Sequence, residues 1–63
     1  MWITLEKQKP ENEQMILFKC KGQKIPEVGV WQEFPNGICE VYIFANDDVE
    51  LPENIEKWMP IPE

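Results

Sequence analysis

The chain has 63 residues and twice as many acidic as basic side chains, 12 against 6, so its formal net charge is −6. A chain of this length forms one small domain, residues 1–63, with a core of limited size. Histidine, arginine and serine are absent, which excludes catalytic triads that depend on imidazole and phosphate sites that depend on guanidinium. Two cysteines are too few for a four-ligand zinc site. We therefore predict a protein that is not an enzyme and holds no cofactor.

Membrane and secretory segments are not predicted either. No apolar run approaches the roughly 20 residues that span a bilayer. The N-terminus lacks the basic region and apolar core of a secretory signal. We expect a cytoplasmic protein in which Cys20 and Cys39 are reduced, buried and act as small apolar residues. The alternative is a single disulfide between them, which requires that their strands be neighbours.

Four segments have the alternation and the β-branched and aromatic content of strands. In chain order they are residues 14–20, 27–33, 38–45 and 55–59. The second segment sets Val28 and Val30 against Gly29 and Trp31 on the opposite face. Because the two valines suit a core, Trp31 is the best candidate for an exposed tryptophan. The alternative is that Trp31, like the other two tryptophans, completes a small core.

Turn residues separate these segments. Asn36-Gly37 tolerates the positive φ angles of tight hairpin turns and predicts a hairpin between the second and third strands. Residues 21–24 are typical of an earlier hairpin loop, and helical turns are expected only at residues 4–8 or 52–55. The predicted fold is all-β, a small antiparallel meander or partly open barrel of four to five short strands with at most one short helical turn.

Charge is distributed unevenly along the chain. Residues 1–24 hold five lysines against three glutamates, whereas residues 25–63 hold one lysine against nine acids. One interpretation is a solvated surface that keeps a small protein soluble. The other is an acidic face for a basic partner, including a mimic of nucleic-acid charge. Direct binding to nucleic acid is not expected, because it depends on basic side chains that neutralise phosphates.

Carboxylates are densest at residues 47–53. Asp47, Asp48, Glu50 and Glu53 lie on a predicted loop, and oxygen-rich loops can hold calcium or magnesium. Their spacing departs from the calcium-loop pattern, which has alternate acidic positions and a central glycine. We therefore predict a solvated acidic loop without a metal, and a metal-dependent hydrolase is the least favoured of the functions.

Aromatic residues are the other candidates for function. Tryptophan is frequent in binding hot spots, and Trp31 is the predicted exposed anchor. Trp2 and Trp58 are expected to pack together and close the sheet. The candidate protein-interaction residues are Trp31, Tyr42, Glu40, Asp47, Asp48 and Glu50.

Both ends of the chain carry motifs that resemble a family of small phage and prophage proteins of unknown function. Trp2-Ile3-Thr4, followed by Pro10-Glu11, is similar to the family's Trp-Ile-Ser and Leu-Pro-Glu. Residues 57–63 resemble its ending His-Trp-Met-Pro-Leu-Pro-Glu, with Lys57 in place of the histidine. The resemblance implies an accessory protein in the cytosol of a bacterial host, and it implies no activity.

We interpret the shared motifs as structural. Prolines fix an extended tail, so Trp58 and Met59 should point to opposite sides while the N-terminal segment packs against the tail. The alternative is a motif that binds a peptide or ligand. The motif residues are Trp2, Ile3, Pro10, Trp58, Met59, Pro60 and Pro62.

Two functions from different classes follow. The first is a non-enzymatic interaction module that binds or inhibits a host protein. The second is an oligomer that binds or sequesters a nucleotide-like small molecule, with Trp31 or Tyr42 stacking a base. Lysines at positions 19, 21 and 24 would meet its phosphate. Self-association into a homodimer, through a sheet edge or an apolar sheet face, is compatible with both.

Overall fold

The computed structural model describes residues 1–61, which contain five antiparallel strands in a single sheet. The strands are β1 (Met15–Cys20), β2 (Glu27–Glu33), β3 (Cys39–Ile43), β4 (Asp48–Glu50) and β5 (Ile55–Pro60). Two 3-10 turns, Phe44–Asn46 and Pro52–Asn54, precede β4 and β5. The all-β prediction is confirmed, although the described chain has two helical turns where the sequence predicts at most one.

The sheet is curled. Its strand order β4-β3-β2-β1-β5 places β4 and β5 at opposite edges, yet only residues 51–54 connect them. In a flat sheet these edges would lie about 19 Å apart, and the compact 3-10 turn makes the connection too short for that span. The curl also brings Glu50 of β4 close enough to Cys20 of β1 to raise the pKa of its thiol. The sheet therefore has a concave inner face and a convex outer face.

The inner face carries the core. Eight residues form one buried cluster: Ile16, Phe18, Cys20, Trp31, Val41, Ile43, Ile55 and Trp58. Ile3, Leu5 and Cys39 pack against it and are partly buried. Trp31, at 1% exposure, lies opposite Val41, so it completes the core and is not an exposed anchor. The physical reason is register, because pairing Trp31 with Val41 sends its ring inward and sends Val28 and Val30 outward.

Both predicted hairpins are present. Gly37 has φ 86°, and its N–H donates to the carbonyl of Phe34 at 2.9 Å, while the Phe34 N–H donates to the carbonyl of Ile38 at 2.8 Å. The Asn36 side chain accepts from the Ile38 N–H at 3.1 Å and braces the turn. Residues 21–26 connect β1 to β2, and Gly22 there has φ 80°.

The N-terminal segment closes the sheet against β5. Ile3 and Trp58 exchange two backbone hydrogen bonds of 2.7 and 2.8 Å, and the Trp58 indole donates to the Gln8 carbonyl at 3.0 Å. Trp58 faces the core and Met59 the outer side, as the sequence predicts. Trp2 differs from its expected packing on Trp58, because its ring is 37% exposed and lies under the ammonium group of Lys57.

Pro10 is buried and Pro60 is the last residue of β5. Pro62, the remaining motif residue, lies outside the described residues.

The two cysteines lie on strands that are not neighbours, because β2 separates β1 from β3. Both thiols are free; Cys20 is buried and Cys39 is half-buried. The condition for a bridge between them, adjacent strands, is therefore not met.

Candidate protein-interaction surface

The outer face of the sheet carries a continuous set of apolar side chains. Paired residues of an antiparallel sheet share a face, and the outer pairs include Met15 with Val30 and Leu17 with Val28. Pairing continues to Tyr42 and Val49 on one side and to Met59 on the other. We call this set, with Phe44, the apolar band. Its members are Met15, Leu17, Val28, Val30, Tyr42, Phe44, Val49 and Met59.

Seven of the eight members of the band form two rows across the strands. One row runs Val49, Tyr42, Val30 and Met15 from β4 to β1, and the other runs Val28, Leu17 and Met59 from β2 to β5. Met15, Val28 and Val49 keep between 43 and 48% of their surface exposed. The central members are half-buried because they shield one another. No element of residues 1–61 beyond the sheet and its connections is available to cover the band.

Tyr42 and Phe44 form the aromatic part of the band. Their rings meet edge to face with centroids 5.1 Å apart. The Tyr42 hydroxyl donates to Asp47 Oδ1 at 2.5 Å, and this hydrogen bond raises the pKa of the phenol above its ordinary value. Asp47 reaches it from a left-handed backbone conformation, φ 50°. Asp47 therefore fixes the direction of the Tyr42 ring.

Charged residues mark the two ends of the band along the strand direction. At one end Lys19 pairs with Lys57 across β1 and β5, and both ammonium groups approach Glu56, at 3.2 and 3.9 Å. At the other end Glu40 pairs with Gln32 across β3 and β2. The outer face therefore has lysines at one end and Glu40 at the other, and the apolar band between them holds the Asp47 carboxylate at the Tyr42 hydroxyl.

The side chains of Asp48 and Glu50 form hydrogen bonds at β4 rather than within the band. Asp48 Oδ1 accepts from the N–H of Val49 at 2.8 Å, which covers a backbone donor on an edge strand. Glu50 accepts from the Asn54 amide at 2.8 Å. Residues 48–50 form a strand, so the prediction of an acidic loop across residues 47–53 is wrong there. No cluster of three metal-ligating side chains occurs among the described residues.

The structure thus separates the six predicted interaction residues. Tyr42 and Glu40 lie on the outer face, and Asp47 hydrogen-bonds to Tyr42. Asp48 and Glu50 form hydrogen bonds at the edge strand β4. Trp31 is in the core, where its indole donates to Glu33 at 3.1 Å. The sequence reasoning missed the apolar members of the band. A signal was present, because residues 15–18 are apolar at every position and such a strand has two apolar faces.

Two shallow clefts lie on the inner side, next to the N-terminal segment. The larger has a volume of about 270 Å³ and is lined by Leu5, Lys9, Trp31, Gly37, Cys39 and Pro52. The smaller, of about 230 Å³, shares Leu5 and Pro52 with it. Trp31 lines the larger cleft and Lys21 the smaller, so the base and phosphate contacts predicted for a nucleotide are not brought together in one cleft.

Residues 1–61 contain no helix that is long and apolar enough to cross a membrane. Comparison of the chain with family models, curated proteins and solved structures finds no match.

Proposed function

We propose that this chain is a non-enzymatic protein-interaction module that binds another protein through the apolar band. The observation that carries the proposal is the band itself, seven apolar side chains paired in contiguous positions on one side of a sheet, with the Phe44 ring against Tyr42. Monomeric proteins rarely expose apolar patches larger than a few hundred square ångströms, and larger patches mark interaction sites.

The composition of the band suits a protein partner. Tyrosine, phenylalanine and methionine are enriched in the centres of interfaces, and Tyr42 is held in one orientation by Asp47. A side chain that is already ordered loses little entropy on binding. Within this proposal Tyr42 is the anchor, and Glu40 is a polar contact at the rim.

The resemblance at both ends of the chain supports the class of partner. It favours a phage or prophage accessory protein that binds or inhibits a protein of its bacterial host, in the host cytosol. The described part of the chain offers the acidic rim residue Glu40 beside the band, which suits a partner with a basic rim.

Binding of a nucleotide-like small molecule is the alternative. The larger cleft, at about 270 Å³, falls below the roughly 300 to 1,000 Å³ of ordinary ligand pockets. Trp31 is buried and Lys19 is paired with Glu56, so neither is free to hold a base or a phosphate. The protein-interaction function is therefore the better supported of the two.

Affinity capture from a bacterial lysate with matched variants tests the proposal. We expect wild-type protein to retain a host protein that Val30→Lys, at the centre of the band, fails to retain. Ile25→Lys is the control, because Ile25 is 78% exposed but lies in the loop between β1 and β2. It should retain the same host protein as wild type, and purified components should reproduce the difference.

Circular dichroism must first show that both variants fold like wild type. If every retained protein binds Val30→Lys as well as it binds wild type, the band is not the binding surface and the proposal fails.

A further inference from the structure

We propose that the apolar band is covered by a second copy of the chain in a face-to-face, two-fold symmetric dimer. The inference rests on the proposed function, since it names a partner for the same band. Charge, symmetry and area favour this occupant.

Charge makes the outer face complementary to itself. Lys19 and Lys57 stand at one end, and Glu56 between them leaves that end with a net positive charge. At the opposite end, Glu40 has no cation within salt-bridge distance among the described residues. Each protomer therefore offers a cationic end and an acidic end on either side of an apolar centre.

Symmetry selects one arrangement of two such faces. Lys19 and Lys57 lie on β1 and β5, whereas Glu40 lies on β3, so the two groups are at diagonally opposite parts of the face. A two-fold axis between the faces that is perpendicular to the line joining these two groups exchanges them and places each cationic end over the partner's acidic end. Because opposite charges at an interface favour binding, this oblique axis is the one expected.

The area of the outer face suits a weak dimer. Five strands span about 24 Å, and the distance along the strands from the Lys19 row to the Gln32 row is about 20 Å. The pair of faces could therefore bury about 1,000 Å², which is the lower limit for a specific interface, and the convex shape reduces the contact further. We expect a dissociation constant in the micromolar range or higher. A host protein that binds the band would then displace the second copy.

Sedimentation equilibrium across low-micromolar to near-millimolar protein tests the dimer. Wild type should shift from the monomer mass to twice that mass, and Ile25→Lys should do the same. Val30→Lys should remain monomeric at every concentration. If its circular dichroism departs from that of wild type, Val28→Thr, which keeps the β-branched shape, takes its place and should weaken the dimer several-fold.

A matched pair of charge reversals tests the orientation. Glu40→Lys and Glu53→Lys change the net charge equally, but Glu53 lies in the 3-10 turn before β5, away from the outer face. We expect Glu40→Lys to weaken the dimer several-fold, because its acidic end becomes basic and faces the partner's lysines. Glu53→Lys should leave the dissociation constant within about twofold of wild type.

Each other result overturns the inference. Wild type that is monomeric throughout excludes the dimer, and a dimer insensitive to Val30→Lys places the interface elsewhere. Equal effects of the two charge reversals exclude the proposed axis. A monomeric wild type that still loses its host protein on Val30→Lys would leave the proposed function intact, so failure of the dimer and failure of the function are distinguishable.

Discussion

Gly29 is a residue whose lack of a side chain permits the close contact between β2 and β3. A Cβ atom there would lie 2.6 Å from Val41 Cγ1 and 2.7 Å from the carbonyl oxygen of Tyr42. Both distances are far shorter than ordinary van der Waals contacts, and the second involves backbone that cannot move independently. The absence of a Cβ atom at Gly29 therefore allows Val41 and the backbone of Tyr42 to pack directly against β2, next to Trp31 in the core.

We expect Gly29→Ala to lower the free energy of unfolding by about 3 kcal/mol, the upper range for overpacking. Urea denaturation measures the change. Gly22→Ala is the control, because a Cβ atom at Gly22 would have no neighbour within 4 Å and only the φ of 80° is unfavourable for alanine. It should lower stability by about 1 kcal/mol. An equal loss in both variants would show that the contact with Val41 is relieved by small shifts.

Cys20 is the residue whose titration should affect stability most directly. Burial, together with the nearby carboxylates of Glu50 and Glu27, raises the pKa of its thiol from 9.0 to about 11. The folded protein therefore holds this proton more tightly than the unfolded chain does. The stabilisation is complete below pH 9 and is lost as the pH rises towards 11.

Urea denaturation between about pH 9 and pH 11 should therefore show a falling free energy of unfolding, and the fall should be smaller in Cys20→Ala. Tyr42 adds a change of the same sign, because its pKa is also raised, so Tyr42→Phe serves as the companion variant. A Cys20→Ala protein with the same pH dependence as wild type would contradict the assignment to this thiol.

At the scale of elements, the long strands are predictable and the edges are not. β1, β2 and β5 follow from alternation, and the β2–β3 hairpin follows from Asn36-Gly37. β4 is missed, because Asn46, Asp47 and Asp48 are typical of a turn. It forms a strand because its backbone pairs with β3 on one side. On the other side, the Asp48 carboxylate accepts a hydrogen bond from the backbone N–H of Val49.

The N-terminal segment is the element whose removal should loosen the edge of the sheet. We expect Ile3→Pro to lower the free energy of unfolding by about 1 to 2 kcal/mol, because proline cannot donate to the Trp58 carbonyl. Ile3→Val keeps both hydrogen bonds and should lose less than about 1 kcal/mol. Thermal and urea denaturation compare the two. A larger loss in Ile3→Val would show that side-chain packing, rather than the backbone bridge, holds the segment.

At the scale of the whole molecule, charge repulsion works against folding. The net charge is −6, and the ion pairs of residues 1–61 all involve the single carboxylate of Glu56. Most acids therefore repel one another without a local cation. Salt shortens the range of this repulsion to about 8 Å at physiological ionic strength.

We expect sodium chloride to raise the melting temperature by a few degrees for this reason. The measurement is best made on wild type at low protein concentration, which keeps dissociation of the proposed dimer out of the comparison. A melting temperature that falls with added salt would mean that the few attractive pairs outweigh the repulsion.

The all-β class, the positions of the main strands and hairpins, and the exclusion of chemistry that needs imidazole are all predictable from the amino-acid sequence. These properties depend on local alternation, on turn residues and on composition. Alternation along a strand also predicts which side chains share a face, such as Gly29 with Trp31. It does not state which face is covered, because both faces of β1 and β2 are apolar.

Which face is covered depends on contacts between residues that are far apart in the chain. The register of Trp31 against Val41, the space left by Gly29 and the N-terminal segment bridged at Ile3 make one face the core. The same choice exposes the apolar band and makes Trp31 structural. Such contacts join residues far apart in the chain, so no local pattern could specify them.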